Sequence, residues 1–329
     1  MANQSPCRIS GVLAKDANQA VIFRRGPSKV TQVLLWDLNT DEVIPGQWLK
    51  GRIYDRRCDV SPDGKYLVIA ASNYSRSHRL FSQIEGQSQY LAPGWTAISR
   101  PPYLTAIGLW LTGNAWNGGG IWRGATELHL NNMPNSWHQA KAPPPHLQIM
   151  NLNWTRSEDE PLFSTRQSER GWALVQEQIW SEPDPVVYEE FLSVQAECRR
   201  LRDETGLVPM DLNFKLWQLG NSINGALRVL QPEITRKVVA NAWIDRDCDK
   251  EGERWIIRTI QGEPMREFRI PWFTGFWIDV DANGRIIFGD KGCLWAWADF
   301  PASQPKLIRD LNPNRFERME APGWALRTD

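Results

Sequence analysis

Residues 58–72 read CDVSPDGKYLVIAAS. Ser61-Pro62-Asp63-Gly64 is turn chemistry: proline presets φ, aspartate bonds its own backbone, and glycine accepts positive φ. The KYLVIAAS that follows alternates only partly between apolar and polar, as a strand covered on both faces does. A strand, a tight turn and a second strand make a hairpin.

The pattern recurs. Residues 281–297, DANGRIIFGDKGCLWAW, hold a turn at Asp281-Ala282-Asn283-Gly284, a strand RIIF, a turn GDKG and a strand CLWAW. Residues 16–36, DANQAVIFRRGPSKVTQVLLW, repeat that order, from Asp16-Ala17-Asn18 through Ile22-Phe23 to Leu35-Trp36. DRDCDKEGERWIIRTI (245–260), RGWALVQEQIW (170–180) and the stretch 104–130 supply further strand–turn–strand units. The units start near Asp16, Asp63, Asn114, Arg170, Asp249 and Asn283. Most intervals approach the ~40–50-residue period of propeller blades. The expected fold is all-β, a single domain over residues 1–329, built as a β-propeller of five or six blades.

The interval after Arg170 is long, and residues 185–205, PVVYEEFLSVQAECRRLRDET, account for it. Val187, Phe191, Val194, Cys198 and Leu201 fall at helical spacing on one face. Pro185 suits the first turn, and Gly206 then Pro209 end the helix. This reads as one helical insertion within a blade, its stripe packed on the propeller's side or face. APGW occurs twice, at 92–95 and 321–324. The repeat predicts that the final segment takes a blade position equivalent to the earlier one. A terminal strand paired into the opposite end's blade would then remove the open edges.

Ser61-Pro62-Asp63-Gly64-Lys65-Tyr66-Leu67 resembles the SPDG turn and strand of bacterial β-propeller repeats of the WD40-like type. The Gly-His and Trp-Asp signature of true WD40 repeats is absent, apart from the pair Trp36-Asp37. The resemblance implies the fold. It also implies a family made mostly of docking platforms with a minority of enzymes, although fold by itself decides no function.

Lys+Arg and Asp+Glu both number 38, so the formal net charge is zero. That argues against nucleic acid or an anionic membrane as a partner. Arg52, Arg56 and Arg57, with Asp55 and Asp59 among them, read as a solvated charged loop. The opening MANQSPCRISGVLAKD has no apolar h-region, and no run approaches the ~18 apolar residues of a membrane span. Neither a secretory signal nor a membrane helix is expected. Five scattered cysteines without CxxC spacing fit a reducing cytoplasm rather than a disulfide framework or zinc site.

No motif names a reaction, so no catalytic residue is assigned. There is no GxSxG; Gly220-Asn221-Ser222-Ile223-Asn224-Gly225 reads as a loop. Gly118-Gly119-Gly120 reads as a turn needing positive φ. His78, His129, His138 and His146 fit no metal spacing. Asp245, Asp247, Asp249 and Glu251 alternate as calcium ligands do. But Lys250 stands where the EF-hand glycine belongs and Ile256 where the bidentate Glu belongs, so the stretch reads as an exposed acidic hairpin turn. No cofactor is expected.

The chain holds 18 Trp against 11 Phe and 6 Tyr. Most should fill space between sheets. Trp95 and Trp324, at repeated positions, should lock blade on blade. Large amphipathic rings also anchor interfaces. The candidate partner-binding set is Trp116, Asn117, Trp122, Trp48 and Trp272, with Trp116, beside the triple glycine, expected to be exposed. The leading expectation is a non-catalytic platform that docks a protein partner through loops on a propeller face. The alternative is a hydrolase- or lyase-type enzyme, or a small-ligand binder, using carboxylates and a divalent metal at the central channel.

Overall fold

The structure, a computed structural model, describes residues 6–26, 30–75, 94–112, 115–131, 137–152, 159–160, 162–177, 179–182, 184–226, 229–231, 233–239, 242–248, 252–271 and 276–328. The chain is mostly β, in several antiparallel sheets. Sheet 1 is a four-stranded meander of β1 (Arg8–Leu13), β2 (Gln19–Arg25), β3 (Val30–Asp37) and β4 (Val43–Lys50). Sheet 2 contains β5 (Arg52–Ile53), β6 (Asp59–Val60), β7 (Leu67–Ser72), β8 (Gly94–Ser99) and β9 (Gly108–Thr112). Sheet 3 contains β10 (Gly120–Trp122), β11 (Glu127–Leu130) and β13 (Gln148–Asn151); the intervening β12 (Trp137–Lys141) returns to the edge of sheet 2. Helix α1 (Leu162–Glu169) follows.

Sheet 4 begins with β14 (Trp172–Gln176). The chain then leaves through β15 (Ile179–Trp180) into helices α2 (Pro185–Thr205) and α3 (Met210–Ala226), and returns through β16 (Val229–Gln231). β15 and β16 pair with each other as a two-stranded stem. Sheet 4 resumes with β17 (Glu233–Val239), β18 (Ala242–Cys248), β19 (Gly252–Thr259) and β20 (Pro264–Pro271). Sheet 5 is the meander β21 (Trp277–Val280), β22 (Ile286–Asp290), β23 (Cys293–Trp297) and β24 (Lys306–Asp310).

Burial explains the apolar runs. β7 is buried at every position, and β2 and β22 nearly so. Each of these strands therefore has a neighbour on both faces. Ile22, Leu34 and Trp36 of sheet 1 pack with Trp277, Ile287 and Leu294 of sheet 5. The other face of sheet 1, with Val21, Phe23 and Val33, packs on Leu67, Ile69 and Ala97 of sheet 2. Val68 and Ile98 on the far face of sheet 2 meet Trp122, Leu128 and Leu130 of sheet 3. Sheet 4 packs on sheet 5 through Ile244, Trp255, Ile257, Ile278, Ile286 and Phe288. Helix α1 stands between sheets 3 and 4: Leu162 meets Ile121, and the helix packs on β14.

The turns predicted from sequence occupy one structural position. Asp16–Asn18, Ser61–Gly64 and Asp281–Gly284 each lead into the first long buried strand of their sheet: β2, β7 and β22. In the second turn, Ser61 Oγ accepts from the Tyr66 N–H at 2.9 Å, and the Gly64 N–H donates to the Ser61 carbonyl. In the third, Asp281 Oδ1 accepts from the N–H groups of Asn283 and Arg285. The turns also touch. The Asp16 and Ala17 N–H groups donate to the Pro62 carbonyl at 2.9 and 3.1 Å, Gln19 Nε2 donates to the Gly64 carbonyl, and the Ala282 N–H donates to Asn18 Oδ1. Arg285 adds an ion pair to Asp41 of sheet 1 at 2.9 Å.

Three expectations are corrected. The insertion is a helical hairpin, not one helix. α2 has the predicted ends, with Pro185 opening it and Gly206 closing it at φ 74°, and the structure adds a cap at Asp184. Its least exposed positions are the predicted stripe, but that stripe packs on α3, not on a sheet. Gly220–Gly225 lies in α3 rather than in a loop. Finally, the two APGW segments are not equivalent. Trp95 lies in β8, whereas Trp324 lies in a short 3-10 turn, edge-on to Tyr103. No described terminal strand crosses between sheets 1 and 5. Residues 311–328 instead run over sheet 1 as a strap, with Arg24 donating to the Leu311 and Asn314 carbonyls, Gln47 to the Met319 carbonyl, and Phe316 against Trp48.

Gly64 and Gly284 share φ 76°, but only Gly64 has a neighbour where a Cβ would stand, Gln19 Nε2 at 1.8 Å. Each glycine replaced by alanine should lose about 1–2 kcal/mol to left-handed strain. Gly64→Ala should lose about 1 kcal/mol more, as the Gln19 hydrogen bond between sheets is displaced. Urea denaturation of the two variants measures the difference; equal losses would show that the turn contact contributes nothing.

Candidate functional site

The charged run Arg52-Ile53-Tyr54-Asp55-Arg56-Arg57-Cys58-Asp59 is not a solvated loop. It forms β5, a 3-10 turn over Asp55–Arg57, and β6. The Tyr54 N–H donates to the Ala70 carbonyl of β7, which fixes the segment over that strand's end. Arg57 is 1% exposed and Asp59 2%. A buried charge needs a partner, and every one here has one.

Arg57 organises the outer side. Its Nη1 donates to the carbonyls of Ala115 and Asn117, at 2.7 and 3.3 Å. Its Nε pairs with Asp159 at 3.0 Å. Its guanidinium lies 4.1 Å from the centre of the Tyr54 ring, and that of Arg52 lies 4.6 Å from the same ring. The triple glycine serves this packing. The Gly119 N–H donates to Thr96 Oγ1 at 2.8 Å, and a Cβ on Gly119 would stand 1.9 Å from the Arg57 carbonyl oxygen. The glycines thus admit the chain's own backbone.

Residues 115 and 117 turn their carbonyls inward, and Trp116 between them turns outward, 67% exposed. With Arg52, Tyr54, Arg57, Tyr74 and Asp159 it lines an open cleft of about 440 Å³. That is within the range of ligand clefts, ~300–1,000 Å³. Tyr74 is also exposed, at 54%. Asp159 neutralises Arg57, whereas Arg52 makes no ion pair with a described residue. The cleft is therefore lined by three aromatic rings, that of Tyr54 already covered by two guanidiniums, and by Arg52, which has no acidic partner among the described residues.

The other side of the segment faces inward. Glu253 of β19 is held by Arg56 and, at 2.6 Å, by Arg246; Trp255 Nε1 donates to its second oxygen at 3.2 Å. The Phe163 ring sits among the guanidiniums of Arg56, Arg166 and Arg246, at 4.7, 5.4 and 4.8 Å. Arg170 pairs with Asp59 at 2.7 Å, and the second Asp59 oxygen accepts from the Trp122 N–H. Arg166 donates to the carbonyls of Asp55 and Cys58. Sheets 2, 3 and 4 and α1 are thereby joined through one polar node. The cavity beside it, where β1, α1, β19 and β21 meet, holds about 30 Å³, room for a water or two.

Burial raises the Glu253 pKa, but the Arg246 and Arg56 charges outweigh it and hold the carboxyl at about 2. Burial pushes the Cys58 thiol up to about 12, so no thiolate nucleophile exists there at neutral pH. Among the described residues, no group of three or more His, Cys, Asp and Glu side chains is placed to hold a metal ion.

The other sequence candidates are dispersed. Asn117 contributes its carbonyl to Arg57. Trp122 is 4% exposed and stacked on Tyr66, in the core between sheets 2 and 3. Trp48 lies under the C-terminal strap, edge-on to Phe316. Trp272, Asp249 and Glu251 lie outside the described residues. Asp245 and Asp247 are not in an exposed turn: both are buried in β18 and paired across the sheet, Asp245 with Arg236 and Arg258, Asp247 with Arg254. Arg52, Tyr54 and Tyr74 went unread as site residues. The alternation of Tyr54 with Arg52 and Arg56 was their one visible signal.

Replacing Glu253 by Gln leaves the buried Arg246 and the half-buried Arg56 without their counter-charge, and should cost about 3–5 kcal/mol near neutral pH. A depressed carboxyl pKa stabilises above its unfolded value, and that contribution is lost as pH falls through the folded value. The gap between wild type and Glu253→Gln should therefore narrow from about pH 4.5 down to about 2. Urea titrations across that range measure it; a gap constant with pH would contradict the ion-pair account.

No family model and no curated protein matches the chain. Solved structures aligned with it include prolyl oligopeptidase B from Galerina marginata, at 8% identity and a TM-score of 0.24, covering 92% of this chain and 34% of that one. An uncharacterized protein from Listeria monocytogenes EGD-e aligns at 10% identity and 0.27, covering 96% and 86%. Acylaminoacyl peptidase from Pyrococcus horikoshii aligns at 10% identity and 0.26, covering 92% and 45%. The chain spans about a third of the first peptidase. Likenesses this slight carry no argument about activity.

Proposed function

We propose that sheets 1–5 are the blades of a five-bladed propeller whose cleft at Trp116 docks a segment of a protein partner. The reading of the blades rests on the order of packing, sheet 4 on 5, 5 on 1, 1 on 2 and 2 on 3, with α1 between 3 and 4. The short β15–β16 pair belongs to the stem of the hairpin and is not a sixth blade.

One observation carries the docking role. Trp116 is a large ring held outward by a backbone that Arg57 anchors on both sides. The carbonyls on either side of Trp116 are already tied to Arg57, which lowers the conformational entropy lost on binding there. Exposed Trp and Tyr beside an arginine are the residue types that dominate interface hot spots. The occupant that fits is an extended segment with an apolar or aromatic residue for Trp116 and Tyr74 and an acidic residue for Arg52. The central-channel enzyme has less support, because the inner cavity takes a water or two and its charges are committed to one another.

The test compares two tryptophans over a panel of acidic–aromatic peptides. Trp116→Ala should weaken binding at least tenfold, about 1.4 kcal/mol, and leave the melting temperature nearly unchanged. Trp122→Ala should cost about 3–5 kcal/mol of stability as a core truncation. Peptide binding that ignores Trp116→Ala, or a Trp116→Ala protein that melts like Trp122→Ala, would contradict the docking role.

A further inference from the structure

The hairpin α2–α3 carries an apolar face that nothing in the chain's described part covers. Helix spacing separates three sides. The seam is Val187, Phe191, Val194, Cys198 and Leu201 against α3, where Gly220 lets Phe191 approach to 3.6 Å from a Cβ position. One outer side is ionic: Lys215 pairs with Glu190 at 2.8 Å, and Arg200 with Glu197 and Glu204 at 2.6 and 2.7 Å. Away from the seam and from that ionic side, helix spacing places Tyr188 and Leu192 on α2 and Phe214 and Trp217 on α3; all four are exposed, as are Leu207 and Met210 at the tip. Positions four and three apart share a helix face, and in an antiparallel pair these two stripes face the same way. Phe214 is 55% exposed and Trp217 62%, and their rings stack on each other at 5.6 Å. Among the described residues, neither helix makes more than slight contact with a sheet.

Two helices cannot bury two apolar seams by themselves; a second layer is needed. We infer that the layer is the hairpin of a second copy, and that the chain forms a two-fold dimer through a four-helix bundle. Three observations select that occupant. The six exposed side chains offer apolar surface on the order of the ~800 Å² that each partner contributes to a standard-size interface. Residues 185–226 hold six acidic residues against four basic, the wrong sign for an anionic membrane surface. Arg199 and Asp203 continue the apolar side toward the tip, so the rim bears both signs and can pair with its own copy about a two-fold axis. The sheets are then held apart by the stem, and the clefts at Trp116 stay open.

Sedimentation equilibrium on the full chain from 1 to 100 µM is the test. Wild type should reach twice the monomer mass. Trp217→Glu and Phe214→Glu should shift the dimer dissociation constant at least 100-fold upward. Glu204→Gln, on the ionic side, should not move it. A wild-type protein that stays monomeric at 100 µM overturns the inference without any variant being needed. So does a dimer that survives both substitutions in variants whose circular dichroism matches wild type, or a face that binds phosphatidylcholine vesicles while the protein in solution is monomeric.

Discussion

A strand buried on both faces must have a sheet on either side of it. β2, β7 and β22 are such strands, and the rest of the architecture follows from covering them. In an open row of sheets the first and last would each leave an apolar face in water. Here sheets 1 and 5, the first and last in the chain, pack on each other through Trp36 and Trp277, whose rings meet edge to face at 6.4 Å. At roughly 25 cal/mol per Å² of apolar area, burying two indoles and their neighbours is a large term in the stability of either sheet. The hydrogen bonds among the Asp16, Ser61 and Asp281 turns set the register of this stacking and contribute less to its energy.

The sequence made some of this legible because local chemistry decided it. Turn residues before apolar runs marked β2, β7 and β22, since only a few side chains suit such turns. The α2 helix was legible to the residue because apolar stripe, proline and C-terminal glycine all agreed. Other elements were hidden because tertiary contacts override the local pattern. α1 buries Leu162, Phe163 and Arg166, so its inward face shows an arginine where periodicity requires an apolar residue. In α3 the apolar residues at 210, 212, 214 and 216 alternate as in a strand, and Gly220 and three asparagines weaken the helical signal. The Arg52–Asp59 run was misread because charge in sequence does not reveal its partners: Glu253, Asp159 and Arg170 come from distant elements. Asp245 and Asp247 alternate because they share one face of a strand, where arginines of the adjacent strands meet them. Of the site, Trp116 was found from its glycine neighbours. Tyr54, Tyr74 and Arg52 were not, since only the fold brings them together.

The same segment, 52–59, has two faces with opposite tasks. Inward, Arg56 and Asp59 are consumed by the polar node that joins sheets 2, 3 and 4 to α1. Outward, Arg57 gives its donors to the carbonyls beside Trp116 and to Asp159, and Arg52 lines the cleft. A buried arginine thus anchors the backbone on either side of an outward ring. The hairpin is different: it stands on a two-strand stem, shares little surface with the sheets and carries aromatic residues outward. Docking at the cleft and self-association at the hairpin are proposed at separate surfaces, so each can change without disturbing the other.

The central claim is that the first and last sheets close on each other, and a double-mutant cycle on Trp36 and Trp277 tests it directly. With Trp36→Leu, Trp277→Leu and the double variant measured by urea denaturation, contact predicts a coupling energy of about 1 kcal/mol. Strict additivity of the two losses would mean that the sheets do not meet, and would take the proposed propeller with it.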